Sequence, residues 1–289
     1  MSDTQYLAAN TIDEAVNAHE KANGNARFLA GGTDLLVQIK SGIRKPNLVI
    51  DIKKIVELNS INELSDGEFE IGASVSGANL NRNSKFAKLW PGVLEAFRLI
   101  GSEQIQGRAS LGGNLCNGSP AGDSVPALIA AGCKAVIAGP KGRKDVPIEN
   151  FHLGPGKTVL ENGEMLVSLK FPKRVSNSAD AYLRMTPRTE MDIAVVGCGV
   201  NISLENDICT HARVSLGAVA PTPLLIKEAS EIMVGSKLDD DVLDKVSEVC
   251  MNACNPINDK RGTVDYRTKV AGVLFKRATK LAADRIRGN

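Results

Sequence analysis

Two glycine pairs stand where a backbone could hold a phosphate. The first lies in Leu29-Ala30-Gly31-Gly32-Thr33-Asp34-Leu35-Leu36, and the second, about 80 residues on, in Ser110-Leu111-Gly112-Gly113-Asn114. In the first, an apolar strand pattern runs into two glycines and then a helix pattern, so amide N–H groups at the helix start face whatever the glycines admit. The same residues also make an ordinary turn with an N-cap, and taken alone the pair leaves both readings open. In the second, a serine hydroxyl and an asparagine amide flank the glycines, and both can bond phosphate oxygens or the hydroxyls of a sugar chain. Asp123 is a third candidate. It is the only charged residue between Ala109 and Cys133, and a carboxylate buried without a partner is costly. Either it caps a helix over 125–132, with Pro126 early in that helix, or it accepts hydrogen bonds from the imide N–H or hydroxyls of a cofactor.

Other chemistries fit poorly. Gly197-Cys198-Gly199 sits inside a strand pattern and lacks a third glycine at the dinucleotide spacing. Gly156-Lys157-Thr158 has the ending of a Walker loop, but Phe151 stands where its first glycine is required. Cys116, Cys133, Cys198 and Cys209 are isolated. Cys250 and Cys254 share a helix face as small apolar residues, so neither a metal nor an iron–sulfur cluster is expected on this chain. His19, His152 and His211 all lie outside the glycine motifs, and no residue presents itself as a catalytic acid or base. The formal charge of +2 and the 4% of aromatic residues argue against a nucleic-acid surface. No basic segment followed by an apolar run opens the chain, and no stretch approaches the ~20 apolar residues of a membrane span. A cytoplasmic protein with reduced cysteines is expected.

The elements that must position these residues form an α+β pattern. Thr11 and Glu14 make a capping box for a helix ended by Gly24. A strand over 26–30, a helix over 35–41 closed by Gly42 and a strand over 48–51 complete a first lobe, about 1–55. A second lobe, about 56–175, opens with a strand over 68–73 and a short helix capped by Ser76. An amphipathic stretch over 84–100 follows, with Phe86, Leu89, Val93, Leu94 and Phe97 at helical spacing and Pro91 interrupting it. After the second glycine segment, read as a loop, come a helix over 125–132 and a strand over 134–138. Met165, Val167, Leu169 and Phe171 alternate with Leu166, Ser168 and Lys170, the period of a half-buried strand. The polar run 172–179 marks a boundary. The remainder, 176–289, reads as a hairpin around Glu205-Asn206-Asp207 and two helices, over 241–255 and 266–286.

Taken together, the two glycine segments resemble those of the FAD-binding subunits of molybdenum hydroxylases, the family of carbon monoxide dehydrogenase medium subunits and bacterial xanthine and nicotinate dehydrogenase FAD subunits. The resemblance runs along nearly the whole chain. It also rests on Ile100-Gly101-Ser102-Glu103-Gln104-Ile105, Glu164-Met165-Leu166-Val167, Asp192-Ile193-Ala194, Gly217-Ala218-Val219-Ala220-Pro221-Thr222-Pro223 and Tyr266-Arg267. It implies a two-lobed FAD-binding domain of the PCMH, vanillyl-alcohol-oxidase-like type over 1–175, followed by a C-terminal α+β domain over 176–289.

The resemblance also implies that Leu29 through Leu36 and Ser110 through Asn114 clasp the FAD pyrophosphate through backbone N–H groups. It places Gly101 where the chain passes close to the cofactor, Asp123 at the ribityl or flavin region, and Leu166 as an apolar neighbour. Arg184 falls where many relatives carry lysine. Thr33-Asp34 departs from the His-Ser of many carbon monoxide dehydrogenases and leans towards xanthine- or nicotinate-type enzymes. The cysteine-bearing insertion of hydroxybenzoyl-CoA reductase relatives is missing. The implied role is an electron-transfer subunit. A large partner would hold the molybdenum cofactor, a small partner would hold two [2Fe–2S] clusters, and NAD or another molecule would accept the electrons. The alternative is a self-contained FAD oxidase or dehydrogenase using the charged cluster Arg184, Arg188, Glu190 and Asp192. A third reading is a non-redox nucleotide-binding protein.

Overall fold

This computed structural model describes residues 4–288, which form three lobes, each around its own sheet. The first contains β1 (Gln5–Ala8), α1 (Ile12–Lys21), β2 (Ala26–Leu29), α2 (Leu35–Lys40) and β3 (Leu48–Asp51). Its parallel sheet has the order β1-β3-β2, which leaves β2 as an edge strand. Thr11 caps α1 by accepting from the Glu14 N–H, but the Glu14 carboxylate accepts from the Asn10 N–H, one residue earlier than a standard capping box.

The second lobe runs through β4 (Ile61–Glu63), β5 (Phe69–Gly72), α3 (Gly77–Arg82), α4 (Ser84–Leu89), α5 (Pro91–Arg98), α6 (Glu103–Gln106), α7 (Leu111–Asn117), α8 (Ser124–Ala130), β6 (Lys134–Gly139), β7 (Gly142–Pro147), β8 (His152–Gly154), β9 (Lys157–Thr158) and β10 (Met165–Phe171). Its antiparallel sheet has the order β4-β5-β10-β6-β7. Much of the small aromatic supply is spent in its core, where Phe86 and Trp90 both pack on Phe171. The amphipathic stretch breaks at Trp90, with Pro91 opening α5, where a missing N–H costs nothing.

Two expectations need correction here. The second glycine pair is not in a loop but in the first turn of α7, with Ser110 as N-cap. And β10 is buried on both faces rather than half-buried. A β-bulge between Leu166 and Ser168 shifts its alternation, so Met165 and Val167 join the first-lobe core while Leu166, Leu169 and Phe171 enter the second. That central strand cements the two lobes.

The third lobe contains β11 (Ser178–Met185), β12 (Val196–Glu205), β13 (Ile208–Gly217), β14 (Leu224–Leu225), α9 (Lys227–Met233), α10 (Asp240–Asn252) and α11 (Val264–Arg287). The anticipated hairpin joins β12 to β13 through Asn206 and Asp207, both with positive φ, the geometry of a two-residue I′ turn. Strand β11 starts inside the polar run and carries Ala179 and Ala181 into the third core but Tyr182 into the second. Cys250 is buried on α10, whereas Cys254 lies past the helix end and bonds back to the Cys250 carbonyl. Among the described residues no helix is long and apolar enough to cross a membrane, and no cluster of three or more metal-ligating side chains occurs.

Candidate functional site

A cleft of about 630 Å³ separates the first lobe from the second, a size typical of cofactor sites. The turn after β2 and the first turn of α7 meet across it. Ser110 Oγ accepts from the Gly113 N–H at 3.0 Å. The earlier first-turn amides have no intrahelical partner and are the groups such a turn offers to an anion. Gln38 donates to Asn117 at 3.0 Å, tying α2 to α7. Arg108 donates to the Gly31 carbonyl at 3.3 Å, tying the segment before α7 to the first turn.

The four glycines do different work. A Cβ on Gly31 would collide with the Arg108 carbonyl, and one on Gly112 would lie 2.5 Å from the Ala73 oxygen. Those two positions let backbone pack on backbone, a role the sequence reading did not give them. Gly32, at φ +79°, makes the turn itself, with Leu29 and Leu36 packed beneath it. A Cβ on Gly113 would meet only Ser110 Oγ, at 3.1 Å, so this glycine keeps the exposed wall of the cleft bare.

Of the anticipated site residues, the structure gathers Ala30, Gly31, Gly32, Thr33, Asp34, Leu35, Ser110, Gly112, Gly113, Asn114 and Leu166 around the cleft. Leu29, Leu36, Leu111, Gly101, Asp123 and Arg184 do not line it. Leu111 is in the second core, and the Gly101 carbonyl accepts from the Met191 N–H at the third lobe.

Asp123 does not make the helix cap that its position allows. Its side chain caps no helix and lies outside the cleft. It forms a buried ion pair with Arg184 at 2.7 Å and accepts from the Tyr182 hydroxyl at 3.0 Å. Burial outweighs the attraction of the Arg184 guanidinium and lifts the Asp123 carboxyl to about 6. Close by, the Ala218 N–H donates to Pro120 O at 2.8 Å, and the buried Arg267 grips the Ala218 and Val195 carbonyls. The third lobe thus holds the segment 118–123 that follows α7.

Sequence reasoning missed several lining residues. His19, stacked on Phe28 at 4.6 Å, stands in the cleft wall although it lies outside every motif. Lys157, Leu160 and Asn162 reach the cleft from the β8–β9 hairpin and the loop after it, which carry no local pattern. Cys116 also faces the cleft.

The family profile described as FAD binding domain in molybdopterin dehydrogenase matches residues 2–174, and that described as CO dehydrogenase flavoprotein C-terminal domain matches residues 181–282. The chain belongs to the FAD-binding subunits of the molybdenum hydroxylases. This flavoprotein subunit is 31% identical to the xanthine dehydrogenase FAD-binding subunit of Escherichia coli O157:H7, over 94% of this chain and 93% of that one. It is 32% identical to the carbon monoxide dehydrogenase medium chain of Afipia carboxidovorans, over 97% and 96%. Its fold superposes on a structure of carbon monoxide dehydrogenase from Hydrogenophaga pseudoflava with a TM-score of 0.94, 32% identity and 98% coverage of both chains.

The cleft of the flavoprotein subunit fits FAD on its own geometry. The two glycine turns face a common space, Gly113 leaves that wall without a side chain, and the cleft continues along β2 past Phe28.

Proposed function

We propose that this chain holds FAD in the cleft between its first two lobes and serves a heteromeric molybdenum hydroxylase as its electron-transfer subunit. The convergence of the two turns on one cleft carries this reading. The backbone of Gly31 through Leu35 and of Ser110 through Asn114 would hold the pyrophosphate, and Leu166 would pack on the cofactor. Bound FAD supplies the capacity to collect two electrons and pass them on. Everything else asked of this chain is binding, orientation and exclusion of water.

In this proposal the donor is a small partner subunit carrying [2Fe–2S] clusters, a large partner holds the molybdenum cofactor and oxidises the substrate, and NAD or another acceptor takes the electrons. The assembly would work in the cytoplasm. Residues 1–175 form the FAD-binding domain and 176–289 a brace. Asp123 is held by Arg184 of that brace and would act on the flavin region through the 118–123 segment, while Gly101 touches the brace at Met191. Of the cluster Arg184, Arg188, Glu190 and Asp192 that a self-contained oxidase would use, Arg184 is paired with Asp123 and Arg188 with Asp192.

Purification of the native protein tests the proposal. The expected result is a yellow complex containing iron, molybdenum and two further chains. A yellow single chain that oxidises a small molecule without either metal would overturn the electron-transfer role.

Occupancy of the cleft has its own test. Cys116 is exposed within the cleft, yet the surrounding wall pushes its thiol up to about 12, so alkylation is followed at alkaline pH. FAD is expected to slow iodoacetamide labelling of Cys116 at least about tenfold, whereas labelling at equal rates with and without FAD would place the cofactor elsewhere.

A further inference from the structure

The cleft is bridged at both ends of β2. At the glycine end the ties are those of Gln38 and Arg108. At the other end the first lobe meets residues 160–164, which lie between β9 and β10 and line the cleft through Leu160, Glu161, Asn162 and Glu164. This segment is a turn closed on itself. The Glu164 N–H donates to the Glu161 carbonyl and the Glu161 N–H to the Glu164 carboxylate, both at 3.0 Å, with Gly163 at φ +81°.

Asn162 and Gly163 spend their polar groups across the cleft. Asn162 Oδ1 accepts from the Gly24 N–H at 3.1 Å, and its Nδ2 donates to the Glu20 carbonyl at 3.2 Å. Both partners are main-chain groups, one a donor and one an acceptor, so the side-chain amide is fixed in one orientation. The Gly163 N–H donates to His19 Nδ1 at 3.0 Å, which requires a neutral imidazole with its proton on Nε2. Burial and the neighbouring Arg27 favour that form by lowering the His19 pKa. The ring is stacked on Phe28, which makes it a firm post for the Gly163 amide.

Two of these three hydrogen bonds are exposed to water. Each contributes little net stability, so this contact opens far more readily than the cores on either side. Directly after the turn, Met165 and Leu166 anchor β10 in the first and second cores, so the turn can swing while the strand stays in place.

We propose that the 160–164 turn is a strap over this end of the cleft, clasped by His19 and Asn162, and that the clasp opens to let the cofactor enter and leave. The inference rests on the reading that FAD occupies the cleft. An extended ligand lying along β2 cannot leave sideways while the bridge is closed, and the closed bridge keeps water from that end. His19 and Asn162 are positioning residues for the strap.

The experiment is stopped-flow flavin fluorescence on the FAD-stripped full-length chain, comparing wild type, His19→Phe and Asn162→Asp. Phenylalanine keeps a ring on Phe28 but removes the acceptor of the Gly163 N–H. Aspartate keeps the acceptor for Gly24 but sets a carboxylate oxygen against the Glu20 carbonyl. Both variants are expected to bind and to release FAD at least about fivefold faster, because the clasp of each is open more of the time. Loss of an ordinary contact raises dissociation alone, so the association rate decides. An association rate that is unchanged or slower in either variant overturns the strap and leaves the cofactor proposal standing. A stripped wild-type chain that binds no FAD overturns both.

Discussion

Gly113→Val is expected to leave the chain folded but empty of FAD, whereas Gly112→Val is expected to damage the fold itself. The two residues are neighbours in the first turn of α7, yet their surroundings differ. A Cβ on Gly113 meets only Ser110 Oγ at 3.1 Å, so the helix can accommodate the substitution with a small shift of the capping hydroxyl. Replacing a helical glycine also recovers part of the propensity cost of about 1 kcal/mol, which offsets that shift. The isopropyl group then occupies the bare wall where the pyrophosphate would lie, and a loss of at least about 100-fold in FAD affinity is expected. At Gly112 the obstruction is backbone: Ala73 O lies 2.5 Å and Ala73 Cα 2.8 Å from the new Cβ. Helix α7 must withdraw from the end of β5, at a cost of about 1–3 kcal/mol or more. Thermal unfolding of the apo chains and flavin content after gel filtration separate the two effects. A Gly113→Val variant that keeps a full complement of FAD would refute the pyrophosphate assignment.

That contrast marks how far the sequence could be read. Four glycines stood out because two short segments each carried a pair beside residues able to bond an anion, a local pattern that local physics makes legible. Which glycine serves the ligand and which serves packing depends on Arg108 and Ala73, whose placement is tertiary. The caps at Thr11 and Ser76 were legible for the same reason, since both accept from amides three residues on, whereas Ser110 caps a helix that the paired glycines disguised as a loop. Strand β10 was found from its period, but the bulge that redistributes its side chains between two cores leaves no trace in composition. The edge position of β2 and the convergence of His19 and Phe28 follow from sheet order, which the alternation of one strand cannot encode. Arg184 shows the same limit. As a residue type it could equally touch a cofactor or neutralise a buried acid, and its 2.7 Å approach to Asp123 is a tertiary contact that no local pattern announces.

The three-lobe arrangement gives that pair its mechanical meaning. Tyr182 and Arg184 belong to the first strand of the third lobe, while Asp123 belongs to the second lobe, six residues past the end of α7. Asp123→Ala would leave a guanidinium buried to all but 4% of its side chain and a buried phenol without their acceptor. Removing one partner of such a pair is expected to cost about 3–5 kcal/mol, measured by chemical denaturation at neutral pH. Weakened FAD retention should accompany it, because segment 118–123 would lose one of the contacts through which the third lobe holds it.

The conservative Asp123→Asn variant isolates the charge. Burial raises the Asp123 carboxyl to about 6 against an ordinary value of 3.8, and it does the same to Asp180, paired with Arg174. In that range the folded chain holds protons that the unfolded chain has released, so each carboxyl makes stability fall as pH rises from about 4 to about 6, with no further change above it. Asparagine at 123 removes one such contribution, and the part of the decline between pH 4 and pH 6 that Asp123 causes is expected to be absent from the variant, read as the difference between variant and wild type. An unchanged slope would mean that Arg184 keeps Asp123 ionised through the whole range. The pair would then hold the lobes together by attraction strong enough to overcome its own burial, and Asp123→Asn would cost nearly as much as Asp123→Ala.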